Sequence, residues 1–327
     1  MSPWLERHWH SVTPVSAALF PVSLLFRLIA AVRRAAYARG FVRSHRLPVP
    51  VIVVGNITVG GTGKTPLVVW LANYLARHGL RPGIVSRGYG VRTREPRRVA
   101  ADSDPAHCGD EPVLLARRSG CPVWIGADRV AAGERLLQAQ PECSVIVSDD
   151  GLQHYRLERD FEIAVLDGER GLGNGLSLPA GPLREPAARL REVDAVVVQG
   201  RTGLAHTPSY PMTLEGRQFQ NLLNPEHLVD AQYFKGRRVR AIAGIGNPQR
   251  FFAHLRALGL SFEARAFPDH HAYTANDFSP DGADAIVMTE KDAVKCAGFA
   301  SEKFWALPVD AVPDPELGPL ILRKLKS

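Results

Sequence analysis

Short apolar runs rich in β-branched residues recur along the chain, and most are followed by a turn and a stretch with helical spacing. In the first two thirds this pattern predicts strands at 51–54, 84–86, 123–125, 144–151, 161–167 and 194–200, and helices at 67–75 and 129–140. Strands that alternate with helices are typical of a parallel sheet covered by helices on both faces. The pattern therefore predicts an α/β fold.

The alternation stops after residue 200 and resumes near residue 238. The intervening segment is rich in Pro, Gly, Asn and Gln, and we interpret it as an extended linker. Beyond it, the pattern predicts strands at 238–246, 262–267 and 285–288 and helices at 251–258 and 315–326. A length of 327 residues also favours two domains. The predicted organisation is an N-terminal segment at 1–46, a first domain at 47–205, a linker at 206–236 and a smaller α/β domain at 237–327.

The N-terminal segment differs from the rest in charge and hydropathy. Residues 12–32 are mostly apolar, although Pro14, Pro21 and Arg27 interrupt the run, and the first 46 residues contain seven arginines and one acidic residue. An interfacial helix tolerates these interruptions, and arginines behind it would meet anionic lipid. We therefore predict a membrane-associated helix, either lying on the bilayer or crossing it, with the following domains on the cytoplasmic side. The alternative is a helix packed on the protein's own surface.

Charge and cysteine content exclude some classes of protein. The net charge is +7, and most of it lies in the N-terminal segment rather than across the predicted domains, which argues against a nucleic-acid binder. The four cysteines form no C-x-x-C pair. They indicate reduced thiols in a cytosolic setting, with neither a disulfide framework nor a metal site. No feature of the sequence predicts an oligomeric state.

The segment VIVVGNITVGGTGKTP, at 51–66, has the strand, glycine loop and helix order of a P-loop. Glycines let the backbone N–H groups turn toward phosphate oxygens, and a helix N-terminus favours negative charge. Lys64 would reach the β- and γ-phosphates, and Thr65 would ligate Mg²⁺. Thr58 occupies the place of the first glycine in the usual pattern. The alternative is a glycine-rich turn without a ligand.

Acidic and basic residues follow several predicted strands. Asp149 and Asp150 end an apolar strand, as in a Walker B element that holds Mg²⁺ on a nucleotide. Arg87 follows the strand at 84–86, where it would face phosphate or solvent. In the segment GDEP, at 109–112, Asp110 is either a helix N-cap or a general base, with Glu111 beside it.

Two further loops carry candidate chemistry. The rigid loop LPAGPLREP, at 178–186, contains Arg184 and Glu185 and is typical of a site loop. The segment FPDHHAY, at 267–273, contains His270 and His271, which could be metal ligands, a proton relay or ordinary loop residues. The absence of nearby cysteines and of an H-x-x-x-H spacing argues against a dedicated metal site. The segment TEKD, at 289–292, does not meet the order of a guanine-recognition motif.

Together these motifs resemble the tetraacyldisaccharide 4′-kinase (lipid A 4′-kinase) family. The matching segments are VGNITVGGTGKTP (54–66), SRGYG (86–90), GDEP (109–112), SDDGLQH (148–154), LPAGPLREP (178–186), FPDHHAY (267–273) and TEKDAVK (289–295). The resemblance implies a P-loop NTPase-like sheet and transfer of the γ-phosphoryl group of ATP to the 4′-hydroxyl of tetraacyldisaccharide 1-phosphate. It also implies Mg²⁺ as a cofactor, a lipid A precursor and an anionic membrane as partners, and a location on the cytoplasmic face of the bacterial inner membrane.

The resemblance also implies roles for individual residues. Nucleotide binding falls on Thr58, Val59, Gly60, Gly61, Thr62, Gly63, Lys64 and Thr65, and the metal site on Thr65, Asp149 and Asp150. Catalysis falls on Asp110 as general base, His270 as its favoured partner, Asp150 and Glu185. The cleft is lined by Arg87, Glu111, Gln153, His154, Arg184 and His271. From the residues alone, two other functions stay open: a P-loop kinase or ligase for a soluble molecule, and a membrane-tethered nucleotide switch.

Overall fold

The computed structural model describes residues 3–88, 91, 95–200, 209–278 and 282–326, and the segment SRGYG therefore lies partly outside the described residues. Its α-helices are α1 (Pro3–Glu6), α2 (Pro14–Ala38), α3 (Lys64–Arg77), α4 (Pro105–Cys108), α5 (Asp110–Ser119), α6 (Arg129–Ala139), α7 (Pro248–Ala257), α8 (Glu290–Cys296) and α9 (Leu317–Leu325). Its strands are β1 (Val51–Gly55), β2 (Pro82–Ser86), β3 (Arg97–Val99), β4 (Val123–Ile125), β5 (Val145–Asp149), β6 (Phe161–Asp167), β7 (Ala195–Gln199), β8 (Tyr210–Glu215), β9 (Phe219–Asn221), β10 (Leu228–Val229), β11 (Val239–Ala243), β12 (Glu263–Ala266), β13 (Ala285–Thr289), β14 (Phe304–Leu307) and β15 (Asp310–Pro313).

The first sheet has the order β15-β8-β7-β6-β1-β5-β2-β4-β3. From β8 to β4 all neighbours are parallel, whereas β15 and β3 pair antiparallel at the two edges. Strands β1, β5, β6 and β7 are buried along their whole length, because one apolar core lies on each face of the sheet. The predicted parallel sheet covered by helices is confirmed.

The predicted linker is wrong for its described part, 209–236. Strand β8 pairs with β7 in the first sheet, and β9 and β10 belong to the second sheet. Only residues 216–218 separate β8 from β9. Strand β8 alternates, with Tyr210, Met212 and Leu214 toward the core and exposed residues between them. Its Pro211 and the surrounding Pro, Gly, Asn and Gln nevertheless give the segment the composition of a loop.

The predicted C-terminal boundary also needs correction. Strand β15 pairs with β8, and Leu317 and Ile321 of α9 are buried in the core of the first sheet. The end of the chain therefore returns to the first domain. The second domain consists of the sheet β10-β9-β14-β13-β11-β12 with its helices. Its strands β11 to β14 are parallel, and its core is built around Phe219, Phe252 and Trp305.

Helix α2 runs unbroken through Pro21 and begins with a capping box between Thr13 and Ser16. Among its described residues the buried side chains are Ser16 and Ser23, while most of its large apolar side chains are exposed and Leu19 and Phe26 are half-buried. By length and by a hydropathy of 2.1 it could cross a membrane. The usual amphipathic arrangement is therefore inverted, with small polar residues facing the protein and apolar residues facing outward.

The N-terminal segment is fixed to the first domain along its length. Trp9 is buried, and its Nε1 donates a hydrogen bond to the Pro179 carbonyl oxygen at 3.0 Å. The Ser23 hydroxyl accepts a hydrogen bond from the Ala180 N–H at 2.9 Å. Near the other end of α2, Arg34 forms an ion pair with Glu192. Helix α2 therefore lies along the surface of the domain.

Replacing Ser23 should loosen this attachment. The S23A variant leaves the buried Ala180 N–H without its acceptor, so we expect the free energy of unfolding to fall by about 1–3 kcal/mol. Denaturant unfolding of the detergent-solubilised protein measures this change. The matched control is L24A on the exposed side of the same helix, which should stay within about 0.5 kcal/mol of the unmodified protein. Equal stability of both variants would contradict the role of this hydrogen bond.

Candidate functional site

The glycine loop between β1 and α3 has the backbone geometry that a phosphate cradle requires. Gly60 and Gly63 have φ values of 106° and 83°, which side chains other than glycine rarely tolerate. Gly63 caps α3, and Lys64 is its first residue. The Asn56 side-chain amide donates to the Gly60 carbonyl oxygen at 3.2 Å and supports the turn from inside. The loop thus directs the N-terminus of α3 toward the carboxyl edge of the sheet.

Asp149 lies at the end of β5, directly beside β1, and is almost completely buried. Its Oδ2 accepts a hydrogen bond from the Ser86 hydroxyl at 3.0 Å, whereas Oδ1 is buried with no hydrogen-bond partner among the described residues. Burial raises the pKa of Asp149, and the carboxylates of Glu111 and Asp150 raise it further. A buried acid in this condition is stabilised by a cation.

Asp150 follows in a strained backbone conformation, with a φ of 49°. Its carboxylate lies 3.4 Å from the Lys64 ammonium and 3.2 Å from the Arg184 guanidinium. Burial raises the pKa of Asp150, but these two cations outweigh it and lower the pKa below its ordinary value. Asp150 is therefore ionised and connects the P-loop to the loop that carries Arg184.

Glu185, the next residue in that loop, is buried among hydrogen-bond donors. Its carboxylate accepts hydrogen bonds from the Tyr155 hydroxyl and, at 3.2 Å, from Gln153 Nε2. The same Gln153 nitrogen donates to the Asn56 carbonyl oxygen at 3.0 Å. Gln153, Glu185 and the strand that precedes the P-loop are therefore held together by one hydrogen-bonded chain.

The residues present fit a magnesium ion that is shared with a nucleotide. The described residues contain no cluster of three His, Cys, Asp or Glu side chains that could hold a metal ion by themselves. Mg²⁺ usually takes one or two carboxylates and completes its coordination with waters and substrate phosphates. The unpartnered Oδ1 of Asp149, close to Asp150 and Thr65 at the P-loop, meets this requirement.

The second domain contributes a histidine to the same region. His270 Nδ1 lies 3.2 Å from Oδ2 of Asp110, which begins α5 in the first domain. Burial raises the pKa of Asp110, but the hydrogen bond from His270 and the charges of Lys291, His270 and Lys295 bring it down to about 2. His270 has a φ of 60°, and among the described residues only it and Asp150 are non-glycine residues with a positive φ. Both strained positions lie in the candidate site.

His271, the neighbour of His270, points elsewhere. Its ring stacks on Phe267 with the ring centroids 4.6 Å apart, and its Nε2 lies 3.4 Å from Asp277. The sequence favours His270 only slightly over His271 as the partner of Asp110, whereas the two side chains have different contacts in the structure. Of the pair, the structure brings His270 and not His271 to Asp110.

His154 and Arg87 occupy the far side of the site. His154 Nε2 accepts a hydrogen bond from the Arg129 N–H at 3.3 Å, and burial together with the charge of Arg129 lowers the His154 pKa to about 4. The ring is therefore neutral at physiological pH. Arg87 is exposed at the carboxyl end of β2. Burial lowers the pKa of Arg129, and the nearby charge of Arg87 lowers it further.

Sequence reasoning missed several residues of this site. Ser86, at the end of β2, and Asn56, directly after β1, reach it because these two strands flank β5, which ends at Asp149. Tyr155 reaches it through the hydrogen bond from its hydroxyl to Glu185. Lys291 and Lys295 of α8 both approach Asp110, and Lys291 also contacts Glu111 at 3.0 Å. The available signal was the segment TEKDAVK, which the resemblance included without a role for its lysines.

The comparisons with known proteins agree with the fold and identify a family. A family profile described as tetraacyldisaccharide-1-P 4′-kinase matches residues 15–326. A protein named tetraacyldisaccharide 4′-kinase from Methylobacillus flagellatus is 51% identical over 324 residues, which are 99% of this chain and 96% of that protein. One of the same name from Alkalilimnicola ehrlichii is 56% identical over 317 residues, with 95% and 92% covered.

A solved structure gives the same result. The crystal structure of LpxK from Aquifex aeolicus in complex with ATP superimposes with a TM-score of 0.82 at 32% sequence identity, and covers 95% of this chain and 99% of that one. The α/β fold class predicted from the sequence is thereby confirmed, and so is the family that the motifs indicated. This chain belongs to the tetraacyldisaccharide-1-P 4′-kinase family.

Proposed function

We propose that the protein transfers the γ-phosphoryl group of ATP to the 4′-hydroxyl of tetraacyldisaccharide 1-phosphate, a step of lipid A biosynthesis. The observation that carries this proposal is the Asp110–His270 pair, which joins the two domains near the carboxyl edge of the first sheet. Glu111, the neighbour of Asp110, acts electrostatically on Asp149 at the end of β5. A proton acceptor thus lies in the region where the P-loop would hold a triphosphate.

The P-loop and its partners bind and orient the nucleotide in this proposal. Backbone N–H groups of residues 58–65 and the α3 N-terminus face the phosphates, and Lys64 neutralises their charge. Asp149, Asp150 and Thr65 are the residues that would hold Mg²⁺, which supplies charge neutralisation to the triphosphate. Arg184, already paired with Asp150, adds a second cation beside the transferred group. Gln153 and Glu185 fix the loop that carries it.

Asp110 is the general base for the acceptor. A sugar hydroxyl is a weak nucleophile, so a carboxylate that accepts its proton accelerates the attack on the γ-phosphorus. The low pKa of Asp110 keeps it ionised at physiological pH. His270 orients the carboxylate by donating a hydrogen bond from Nδ1 to Oδ2, while Asp110 accepts the proton of the hydroxyl. The remaining candidate residues, among them Arg87, Glu111 and His154, surround the space for the acceptor.

The membrane association that the family's lipid substrate implies fits a peripheral helix better than a spanning one. Helix α2 contacts the first domain at Ser23 in its first half and at Arg34 near its end, so the helix lies along the surface of the catalytic domain. Leu25, Leu28 and Ile29 lie on its outward side and are more than half exposed. We infer that this side enters the headgroup region of the cytoplasmic leaflet, where nearby arginines meet anionic lipid.

Transfer of label to a glycolipid tests the reaction. The purified full chain, γ-labelled ATP and Mg²⁺ are incubated with tetraacyldisaccharide 1-phosphate in mixed micelles, and the lipid fraction is counted. We expect a labelled glycolipid, and a loss of about 10²-fold or more in K64A because the phosphates lose a charged contact. K235A, at an exposed lysine, is the matched control with an unchanged rate. ATP consumption without labelled lipid would support a soluble acceptor or a nucleotide switch instead.

Replacing the proposed base separates chemistry from binding. In D110N the side chain keeps its shape and an oxygen for His270 but loses its proton affinity, so kcat should fall by about 10²–10⁴-fold. The KM for ATP should change by no more than about twofold, since the loss lies in the transition state. Steady-state kinetics measures both constants. D104N, at the exposed N-cap of α4 where Asn is an equal cap, is the control. A parallel loss in kcat and ATP affinity would assign Asp110 a binding role.

The outward side of α2 can be tested by vesicle flotation. The double variant L25D/I29D removes two apolar side chains from the proposed contact, at about 1.5–3 kcal/mol each. We therefore expect the fraction bound to anionic vesicles to fall at least about tenfold. The matched control is L223D/L228D, which alters two exposed leucines of the second domain. Equal flotation of the two double variants would remove α2 as the membrane contact.

A further inference from the structure

Helix α8 of the second domain packs against α5 of the first, and among the described residues three ion pairs join them, one of them the 3.9 Å contact between Lys295 and Asp110. Arg118 of α5 pairs with Glu290, and Glu111 of α5 pairs with Lys291 at 3.0 Å. Lys291 is nearly buried, and its ammonium also lies 3.3 Å from Asp269 and 3.4 Å from His270 Nε2. One lysine therefore contacts the neighbours of both Asp110 and His270 and touches the imidazole ring itself.

The hydrogen-bonding capacity of these groups fixes the position of the ring proton. A lysine ammonium has three donors and no acceptor, so contact with Nε2 requires a lone pair on that nitrogen. A neutral imidazole with a lone pair on Nε2 carries its proton on Nδ1. Nδ1 then donates to Oδ2 of Asp110 at 3.2 Å. Both contacts of the ring are satisfied by this tautomer.

We propose that Lys291 is a positioning residue for the Asp110–His270 pair: its ammonium donates to Nε2 of His270, which holds the imidazole neutral with its proton on Nδ1. An imidazolium beside Asp110 would lower the pKa of the carboxylate more than a neutral imidazole does, and would make Asp110 a weaker base. Lys291 acts through His270 and touches neither nucleotide nor acceptor. The importance of this tautomer for catalysis rests on the function proposed above, whereas its existence does not.

The charges around the ring explain why a cation is needed there. Asp110 faces it from α5, 3.2 Å from Nδ1, and Asp269 lies 3.8 Å from Nε2 on the ring's own loop. These two carboxylates favour an imidazolium.

Lys291 and Lys295 of α8 oppose them. Asp292 is occupied by Lys295 at 2.9 Å and by the Gly244 N–H at 3.0 Å. The hydrogen bond with Asp110 raises the pKa of His270 above its ordinary value, although burial and the charge of Lys291 act in the opposite direction and limit the increase.

The first test needs no variant. Nitrogen NMR of the ¹⁵N-histidine-labelled protein, with the His270 signals assigned from the H270Q spectrum, reports which ring nitrogen carries the proton. Above the titration midpoint we expect a protonated Nδ1 and an unprotonated Nε2. A protonated Nε2 would overturn the proposal. This measurement is independent of activity, so it separates the tautomer from the proposed reaction.

The second test removes the charge. In K291M the ring loses its Nε2 donor and keeps Asp269 nearby, so we expect the His270 midpoint to rise by about one pH unit. The acid limb of the kcat profile should move upward with it, while the KM for ATP stays within about twofold. K291R retains a cation with donors, and should restore most of the original midpoint.

The matched control is R118Q, which removes the Arg118–Glu290 ion pair between α5 and α8 without facing the imidazole. It should leave the His270 midpoint unchanged even if it lowers the melting temperature. An equal shift in K291M and R118Q would mean that loosened packing, not the Lys291 charge, moves the ring, and would overturn the proposal. An unchanged midpoint in K291M would overturn it as well.

Discussion

Buried carboxylates at the carboxyl edge of the first sheet impose the strongest constraint on this molecule. An ionised acid taken out of water needs a compensating charge, and Asp150 and Asp110 are both held ionised by cations. Lys64 from the P-loop and Arg184 from a distant loop form ion pairs with Asp150. The hydrogen bond from His270 and the charges of two lysines in the second domain keep Asp110 ionised. Segments far apart in sequence are thereby brought together. Asp149 differs, since its Oδ1 has no hydrogen-bond partner among the described residues.

The same constraint explains why two domains are needed. Helices α5 and α8 both carry acidic residues in the first turn and basic residues in the last, so each offers partners of both signs to the other. Lys291 meets Glu111 at one end, and Glu290 meets Arg118 at the other. This reciprocal arrangement fixes the register of α8 against α5. A fixed register is what brings His270, two elements earlier in the second domain, within hydrogen-bond distance of Asp110.

Sequence reasoning succeeded where the determinants are local. The P-loop could be predicted because its glycines, Lys64 and the adjacent strand lie within 16 residues, and the Asp149–Asp150 turn because it ends an apolar strand. Strands β8 and β15 alternate in burial, but both are short and contain a proline, which is more typical of turns than of strands, and they were missed for that reason.

The partner of Asp110 could not be derived from spacing, since 160 residues separate the pair. The choice between His270 and His271 depends on a backbone turn that points adjacent side chains in opposite directions. No periodicity encodes such a turn.

One loop contacts both the N-terminal segment and the candidate site. Residues 174–180 hold Trp9 and Ser23, and the same loop continues to Arg184 and Glu185 at the site. Because α2 contributes small polar side chains to this contact, its apolar side stays available for lipid. In the membrane-bound arrangement proposed above, the height of the bilayer surface relative to Asp150 would be set by these hydrogen bonds rather than by a flexible tether. For an acceptor whose acyl chains stay in the membrane, that height would decide whether its hydroxyl reaches the nucleotide. The rigid attachment of the helix would then contribute to substrate positioning.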